Sequence, residues 1–198
     1  MVPTEELAES GRNARWHKRL LTIVPGVVLI ALLAYGFLME ADERGPQALP
    51  DFSLPVVGGG TLTNEDLAGT PVVLNFWASW CGPCRVEAPA LEAASERYSG
   101  EGVRFIGVVV QDSELGAQEF IDEFDVSYTN VLDDGEELSR ELFDFFGLPR
   151  TFFVRADGTL LAESAGRRMG SRGGTEILGP ITEGELDRRI RALLAEDA

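Results

Sequence analysis

The sequence is poor in the residues that build metal centres. It holds two cysteines, Cys81 and Cys84, and a single histidine, His17. A zinc site takes about four ligands, and a long apolar run separates His17 from both cysteines. No metal and no cofactor is therefore expected. Lysine is nearly absent: Lys18 is the only one, and arginine carries the rest of the positive charge. Basic residues number 17 against 33 acidic ones, for a net charge of −16. Binding to nucleic acid needs a basic face for the phosphates, so nucleic acid is excluded as a partner. Internal repeats and low-complexity tracts are also missing. The length of 198 residues then suits one domain with an appendage.

The appendage is the uncharged run from Leu20 to Met39. A helix of about 20 apolar residues crosses the ~30 Å hydrocarbon core of a bilayer. Pro25 near its start is tolerated there. A cleaved signal peptide is the rival reading, with Ala34-Tyr35-Gly36 as the cut, but Phe37-Leu38-Met39 carries the apolar run past it. An uncleaved anchor in the lipid bilayer over 20–39 is expected. Arg12, Arg15, Lys18 and Arg19 precede it, and Glu40-Ala41-Asp42-Glu43-Arg44 follows. The positive-inside rule leaves the tail 1–19 in the cytoplasm and the remainder outside the cell membrane. Residues 40–50 read as a linker and 51–198 as the extracytoplasmic domain. Both cysteines then face a compartment where disulfides form and persist.

Trp80-Cys81-Gly82-Pro83-Cys84 stands between an apolar run, Val72 to Trp77, and a stretch from Arg85 to Tyr98 that reads as a helix. A thiol at a helix N-terminus meets unpaired N–H groups and the positive end of the dipole, which favours its thiolate. A second thiol one turn on can close a disulfide with it. Pro83 sits near the first helical position, where its missing N–H costs little. Trp80 can shield one side of the sulfurs. The bland readings are a structural disulfide and half a zinc site.

The remaining chain alternates strands and helices. Phe52, Leu54 and Val56 alternate within Asp51–Val57, and Gly58-Gly59-Gly60 turns them into Thr61–Thr63, a hairpin. A short helix over Asn64–Ala68 is capped by Thr63 or Asn64. Ala88, Leu91, Ala94 and Tyr98 recur at helical spacing, with a kink predicted at Pro89. Val103–Val110 is apolar throughout, as for a parallel strand covered on both faces. Ser113–Phe124 reads as a helix with Leu115, Phe120, Ile121 and Phe124 inward. Thr129–Leu132 reads as a strand, and Glu136–Phe146 as a helix burying Leu138, Leu142 and Phe145 or Phe146. Thr151–Arg155 pairs through an Asp157-Gly158 turn with Thr159–Ala165. Gly166–Pro180 is Gly-rich and poorly specified, either a specificity loop or a connection. A last helix begins at Thr182, with Glu185 in the capping-box position and Leu186, Ile190 and Leu193 inward. This order predicts an α/β fold with a mixed central sheet and helices on both faces.

Trp80-Cys81-Gly82-Pro83-Cys84 between strand and helix, with Leu148-Pro149-Arg150-Thr151-Phe152-Phe153-Val154 ahead of a hairpin, resembles thioredoxin. Four further features narrow the likeness: the N-terminal anchor, the extra strand–helix block Thr129–Phe146, Glu87 three residues after Cys84, and Gly179-Pro180-Ile181-Thr182 before the last helix. Together these resemble the membrane-anchored TlpA/ResA/DsbE-like thiol:disulfide interchange proteins over roughly residues 46–196. The resemblance implies a thioredoxin-like fold with an added N-terminal β-hairpin and a central strand–helix insertion.

Cys81, ahead of the helix, is the expected nucleophile and the more exposed sulfur, and Cys84 the resolving thiol. Cys84 must lose a proton to attack. Thioredoxin carries a buried Asp six residues before the first cysteine, where this chain has Asn75, which accepts no proton. The resemblance passes that task to Glu87; the bland reading of Glu87 is an acidic residue suited to the start of a helix. The resemblance also makes Pro149 a cis-proline facing the disulfide. With Leu148 and Trp80, it would bind an extended substrate segment. Trp77 could line the site with Trp80 or be simple core; the aromatic cluster Phe143, Phe145 and Phe146 reads as core, with one exposed ring left open to contact a partner. The implied function is an enzyme, a protein thiol:disulfide oxidoreductase. Its expected partners are proteins bearing CxxC motifs, apocytochrome c first, and a membrane thiol reductase as electron donor. Oxidation of secreted proteins, reduction of copper-site thiols and a non-catalytic anchored scaffold stay open as alternatives.

Overall fold

In the computed structural model the described residues are 47–143, 147–161 and 176–196, together with Pro25, Gly26, Val28, Leu29, Ile30, Leu32 and Tyr35. Two compact units form, Met1–Gly45 and Pro46–Ala198. In the first, the described positions are helical. The rest of the expected span at 20–39 lies outside the described residues, as does the tail 1–19. Among the described residues no helix is long and apolar enough to cross a membrane.

The second unit opens with the hairpin. Alternating Phe52, Leu54 and Val56 produce a strand only over Ser53–Pro55 (β1), paired antiparallel with Thr61–Thr63 (β2) and with Leu54 opposite Leu62. A single 3₁₀ turn follows at Glu65–Leu67. Thr63 caps it: its hydroxyl accepts the Asp66 N–H at 3.3 Å, and the Asp66 carboxylate accepts the Thr63 N–H at 2.9 Å.

Five strands make the main sheet: Val72–Trp77 (β3), Arg104–Val109 (β4), Thr129–Leu132 (β5), Arg150–Val154 (β6) and Glu176–Leu178 (β7). Their order is β5-β4-β3-β6-β7. β3, β4 and β5 run parallel, and β6 and β7 pair antiparallel. Among the described residues the α-helices of the unit are Gly82–Ser99 (α1), Glu114–Glu123 (α2), Glu137–Leu142 (α3) and Glu183–Glu196 (α4).

The period of two in β3 sorts the core. Val72, Leu74 and Phe76 join Ile106, Val108, Phe152 and Val154 on one face, under the hairpin's Leu54 and Leu62 and α3's Leu138 and Leu142. Val73, Phe105 and Phe153 lie on the other, against Leu91, Ala94 and Tyr98 of α1 and Leu186, Ile190 and Leu193 of α4. Each such side chain contributes about 1.5–3 kcal/mol when fully buried. Asn75 belongs to the second face and is buried at 3% exposure.

Several expectations change. α1 starts at Gly82 rather than Arg85 and holds Pro89 within it, as expected. Leu115 is 70% exposed instead of inward. On α2 the buried residues are Ala117 and Phe120, and Leu115 stands two positions before Ala117, about 200° around the helix axis. α3 stops at Leu142 because Phe143 turns extended, at φ −150° and ψ 150°. Phe145 and Phe146 lie outside the described residues. After the Asp157-Gly158 turn the expected hairpin pairs as far as it is described, with Leu160 bridging Val154 and the Leu161 N–H bonded to the Phe153 carbonyl; 162–165 lie outside the described residues, and β6 pairs with β7 as well as β3. A three-residue strand is too short to carry an alternation signal, so β7 was invisible in the Gly-rich stretch.

Gly107 of β4 lies between Asn75 and Asn130 in register. A Cβ there would meet Asn130 Oδ1 at 1.8 Å and Trp77 Nε1 at 2.6 Å. Those two atoms share a hydrogen bond of 3.0 Å, donated by the indole. Gly107→Ala is expected to break that bond and lower stability by about 2–3 kcal/mol. Denaturant unfolding checks this as a fall in midpoint at unchanged slope; a loss under about 0.5 kcal/mol contradicts it.

Candidate active site

Cys81 ends an extended segment, at φ −80° and ψ 104°, and caps α1. The first N–H groups of a helix have no partner within it. One of them, from Cys84, donates to the Cys81 sulfur at 3.2 Å. Pro83, in the same first turn, has no N–H to leave unpaired. Cys81 and Cys84 are joined as a disulfide. On reduction, a thiolate at Cys81 keeps the Cys84 N–H and the helix dipole as its stabilising partners. Both cysteines are buried, at 4% and 1% exposure, while Gly82, Pro83 and Trp80 around them are exposed. They pack with Trp77, Ala78, Ala88 and Val109 at the C-terminal ends of the parallel strands.

The two nearby tryptophans differ. Trp77 is core: it is buried, and its ring lies 4.2 Å from that of Phe120. Trp80 is 61% exposed, yet its indole N–H donates to the Gln111 carbonyl at 3.0 Å. Phe143 is also core, with its ring 5.0 Å from Phe76 and the Arg150 guanidinium 4.5 Å above it.

Glu87 follows Cys84 by three residues, on the same buried face of α1. One carboxyl oxygen accepts from the Asn75 amide at 2.8 Å and the other from the Ile181 N–H at 2.8 Å. Asn75 also donates to the Thr151 hydroxyl at 3.1 Å, across the β3–β6 ladder. Burial disfavours the charged carboxylate, and the two hydrogen bonds favour it. Burial prevails, and the Glu87 pKa is pushed up to about 7. The Tyr128 phenol is pushed above its ordinary value, first by burial and then by the charges of Glu87 and Glu92.

Pro149 is buried, and its peptide bond to Leu148 is cis. Its carbonyl accepts the Gly179 N–H at 2.9 Å. Leu148 packs against the cluster that holds both cysteines. Among the described residues no hydrogen bond engages the Leu148 main chain. Among the described residues no cluster of His, Cys, Asp or Glu fits a metal ion.

Of the expected site residues, Leu148 packs against the cluster that holds Cys81 and Cys84, while Glu87 lies one turn on along α1 and is bonded to Asn75 within β3. The sequence reading missed the partners of Glu87, namely Asn75, Thr151 and the Ile181 N–H. One signal was available: a lone amide in an otherwise apolar buried strand needs a polar partner.

A folded-state pKa raised from 4.5 to about 7 favours the neutral acid. The stabilisation it brings is complete below pH 4.5 and is lost as pH rises through about 7. The span is about 3 kcal/mol. Glu87→Gln cannot titrate, though one of its two donors loses an acceptor, at a cost of about 1–3 kcal/mol. The variant is therefore expected to gain about 3 kcal/mol relative to the parent between pH 4 and pH 8, in denaturant unfolding of the oxidised proteins. A difference that stays flat across that range contradicts the raised pKa.

Comparison with known proteins agrees with this geometry. The redoxin family model matches residues 44–170. Thiol-disulfide oxidoreductase ResA of Oceanobacillus iheyensis is 31% identical over 143 residues, 68% of this chain and 74% of the relative. Thiol:disulfide interchange protein DsbE of Pseudomonas fluorescens biotype C is 35% identical over 152 residues, 72% of this chain and 83% of the relative. A solved thiol:disulfide interchange protein of the thioredoxin family from Chlorobium tepidum superposes with a TM-score of 0.64 at 24% identity, covering 77% of this chain and 99% of that one. The fold is thioredoxin-like, and the chain belongs to the redoxin family as a thiol–disulfide oxidoreductase of the type that ResA and DsbE represent.

Proposed function

We propose that this protein is a membrane-anchored reductant of disulfides outside the cytoplasm. Its preferred substrate is the oxidised Cys-x-x-Cys-His haem-attachment site of apocytochrome c. The observation that carries this reading is Glu87, a buried carboxyl group with a near-neutral pKa, three residues beyond Cys84 on the same helix face.

In the reduced protein the Cys81 thiolate attacks one sulfur of the substrate disulfide. A Cys81–substrate disulfide forms, and the first substrate sulfur leaves as a thiol after taking a proton. Glu87 takes the proton of Cys84, whose thiolate attacks the Cys81 sulfur. The second substrate thiol is released and protonated, and the Cys81–Cys84 disulfide closes. Two electrons have passed to the substrate. A membrane thiol reductase returns them by the same exchange in reverse. Leu148, with free main-chain groups beside cis-Pro149, offers an edge on which an extended substrate lies.

Electrostatics supports the reducing direction. A thiol pair becomes oxidising when its reduced form is stabilised. A buried carboxylate one turn beyond Cys84 opposes a thiolate there and so supports the disulfide form. The domain as a whole is acidic, in a chain of net charge −16. Both features support a reductant. The uncharged run at 20–39, preceded by basic residues, supports an anchor with the catalytic domain on the outer side.

Trapping tests the proposal. Cys84→Ser leaves Cys81 able to form mixed disulfides that it cannot release. Capture from the native membrane is expected to yield apocytochromes or haem-assembly components, with few other species. Capture of a broad set of secreted cysteine-containing proteins would instead indicate an oxidant or isomerase. A Cys81→Ala variant that keeps full function in the cell would show a scaffold with a structural disulfide.

A further inference from the structure

The loop after β4 and the inserted block β5–α3 meet at a corner that the exchange chemistry does not yet use. Gln111 and Glu136 both take left-handed backbone conformations, at φ +53° and +54°. Such positions are costly for residues with a Cβ and persist when surrounding contacts hold them. The two side chains hold each other: the Gln111 amide donates to Glu136 Oε1 at 2.8 Å. Glu136 Oε2 in turn accepts from Arg140 Nε at 3.1 Å.

The left-handed turn aims the Gln111 carbonyl at the exposed indole of Trp80, which donates to it at 3.0 Å. The next residue, Asp112, grips the segment before Cys81 through its side-chain carboxylate. Asp112 Oδ2 accepts the Ser79 N–H at 2.5 Å, and Oδ1 accepts the Ser113 N–H at 2.8 Å. The fit is close at Gly116, where a Cβ would stand 2.7 Å from Asp112 Oδ1 and 3.0 Å from Ser79 Oγ and would push the Asp112 carboxylate aside. Ser79 and Trp80 immediately precede Cys81.

We propose that Gln111 and Asp112 are positioning residues for disulfide exchange. They latch the turn before Cys81 and fix the Trp80 indole as a rigid wall against which a peptide disulfide is presented. Glu136 ties this latch to the inserted block, which gives the insertion a function at the exchange site. A ring already immobilised has less freedom to lose when a peptide docks. A small disulfide, which needs only the sulfur of Cys81, gains little from the wall. The inference rests on the exchange at Cys81 proposed above.

The test compares two probes on the reduced protein: a disulfide-closed Cys-x-x-Cys-His peptide and glutathione disulfide. Asp112→Ala removes the Ser79 acceptor, and Asp112→Asn retains one. For Asp112→Ala, kcat/KM on the peptide is expected to fall about tenfold, mainly through KM, with glutathione disulfide changed less than about twofold. Asp112→Asn is expected to stay near the parent on both probes. Equal losses on the two probes, or no loss on the peptide, would overturn the latch. If Asp112→Ala does not fold, Gln111→Ala replaces it under the same criterion, because that change removes only the exposed contact to Glu136. A parent protein inactive toward both probes would refute the exchange reading itself, a result distinct from failure of the latch.

Discussion

The Glu87 carboxyl, held between the Asn75 amide and the Ile181 N–H, is the interaction on which the arrangement of this domain turns. It joins the central strand, the helix that carries the cysteines and the approach to the last helix. A buried carboxyl group needs donors for both oxygens, and the chain provides one from each side of α1. Asn75 must then be fixed itself. It is paired across the ladder with Thr151, so the first residues of β6, directly after cis-Pro149, are tied to the same group. The redox pair, the proline loop and the C-terminal helix are thus linked through one side chain.

That linkage sets two demands against each other. Burial lifts the carboxyl toward neutrality, which suits a group that exchanges protons with a thiol near pH 7. The same burial burdens the fold with a charge whenever the group ionises. The surrounding core offsets this burden. Three-layer packing around β3, with apolar residues on both faces, keeps the polar insertion small. Asn75, with Glu87 and Thr151, is surrounded by strands and helices that carry few other buried polar groups.

Much of this was legible in the sequence, and the limits have physical causes. Continuous apolar runs marked β3 and β4, because strands covered on both faces cannot alternate. The cysteine spacing between a strand and a helix located the site. Leu115 was misplaced since helical spacing alone does not say which face meets the sheet. β7 was missed because its three residues, Glu176–Leu178, lie in a Gly-rich stretch with no alternating apolar pattern. The Asn75–Glu87 pair was missed because its members lie twelve residues apart, and only the packing of α1 on β3 brings them together. The corner at Gln111 gave no sign at all, since a left-handed backbone at Gln and Glu has no compositional signature.

The most direct test of the account is the titration of the Glu87 carboxyl carbon by ¹³C NMR in the oxidised protein, where neither cysteine titrates. The account predicts a midpoint of about 7. A midpoint near 4.5, the ordinary value for this group, would mean that the carboxylate stays charged through neutral pH. Glu87 would then be a weak base, poorly matched to take a proton from Cys84.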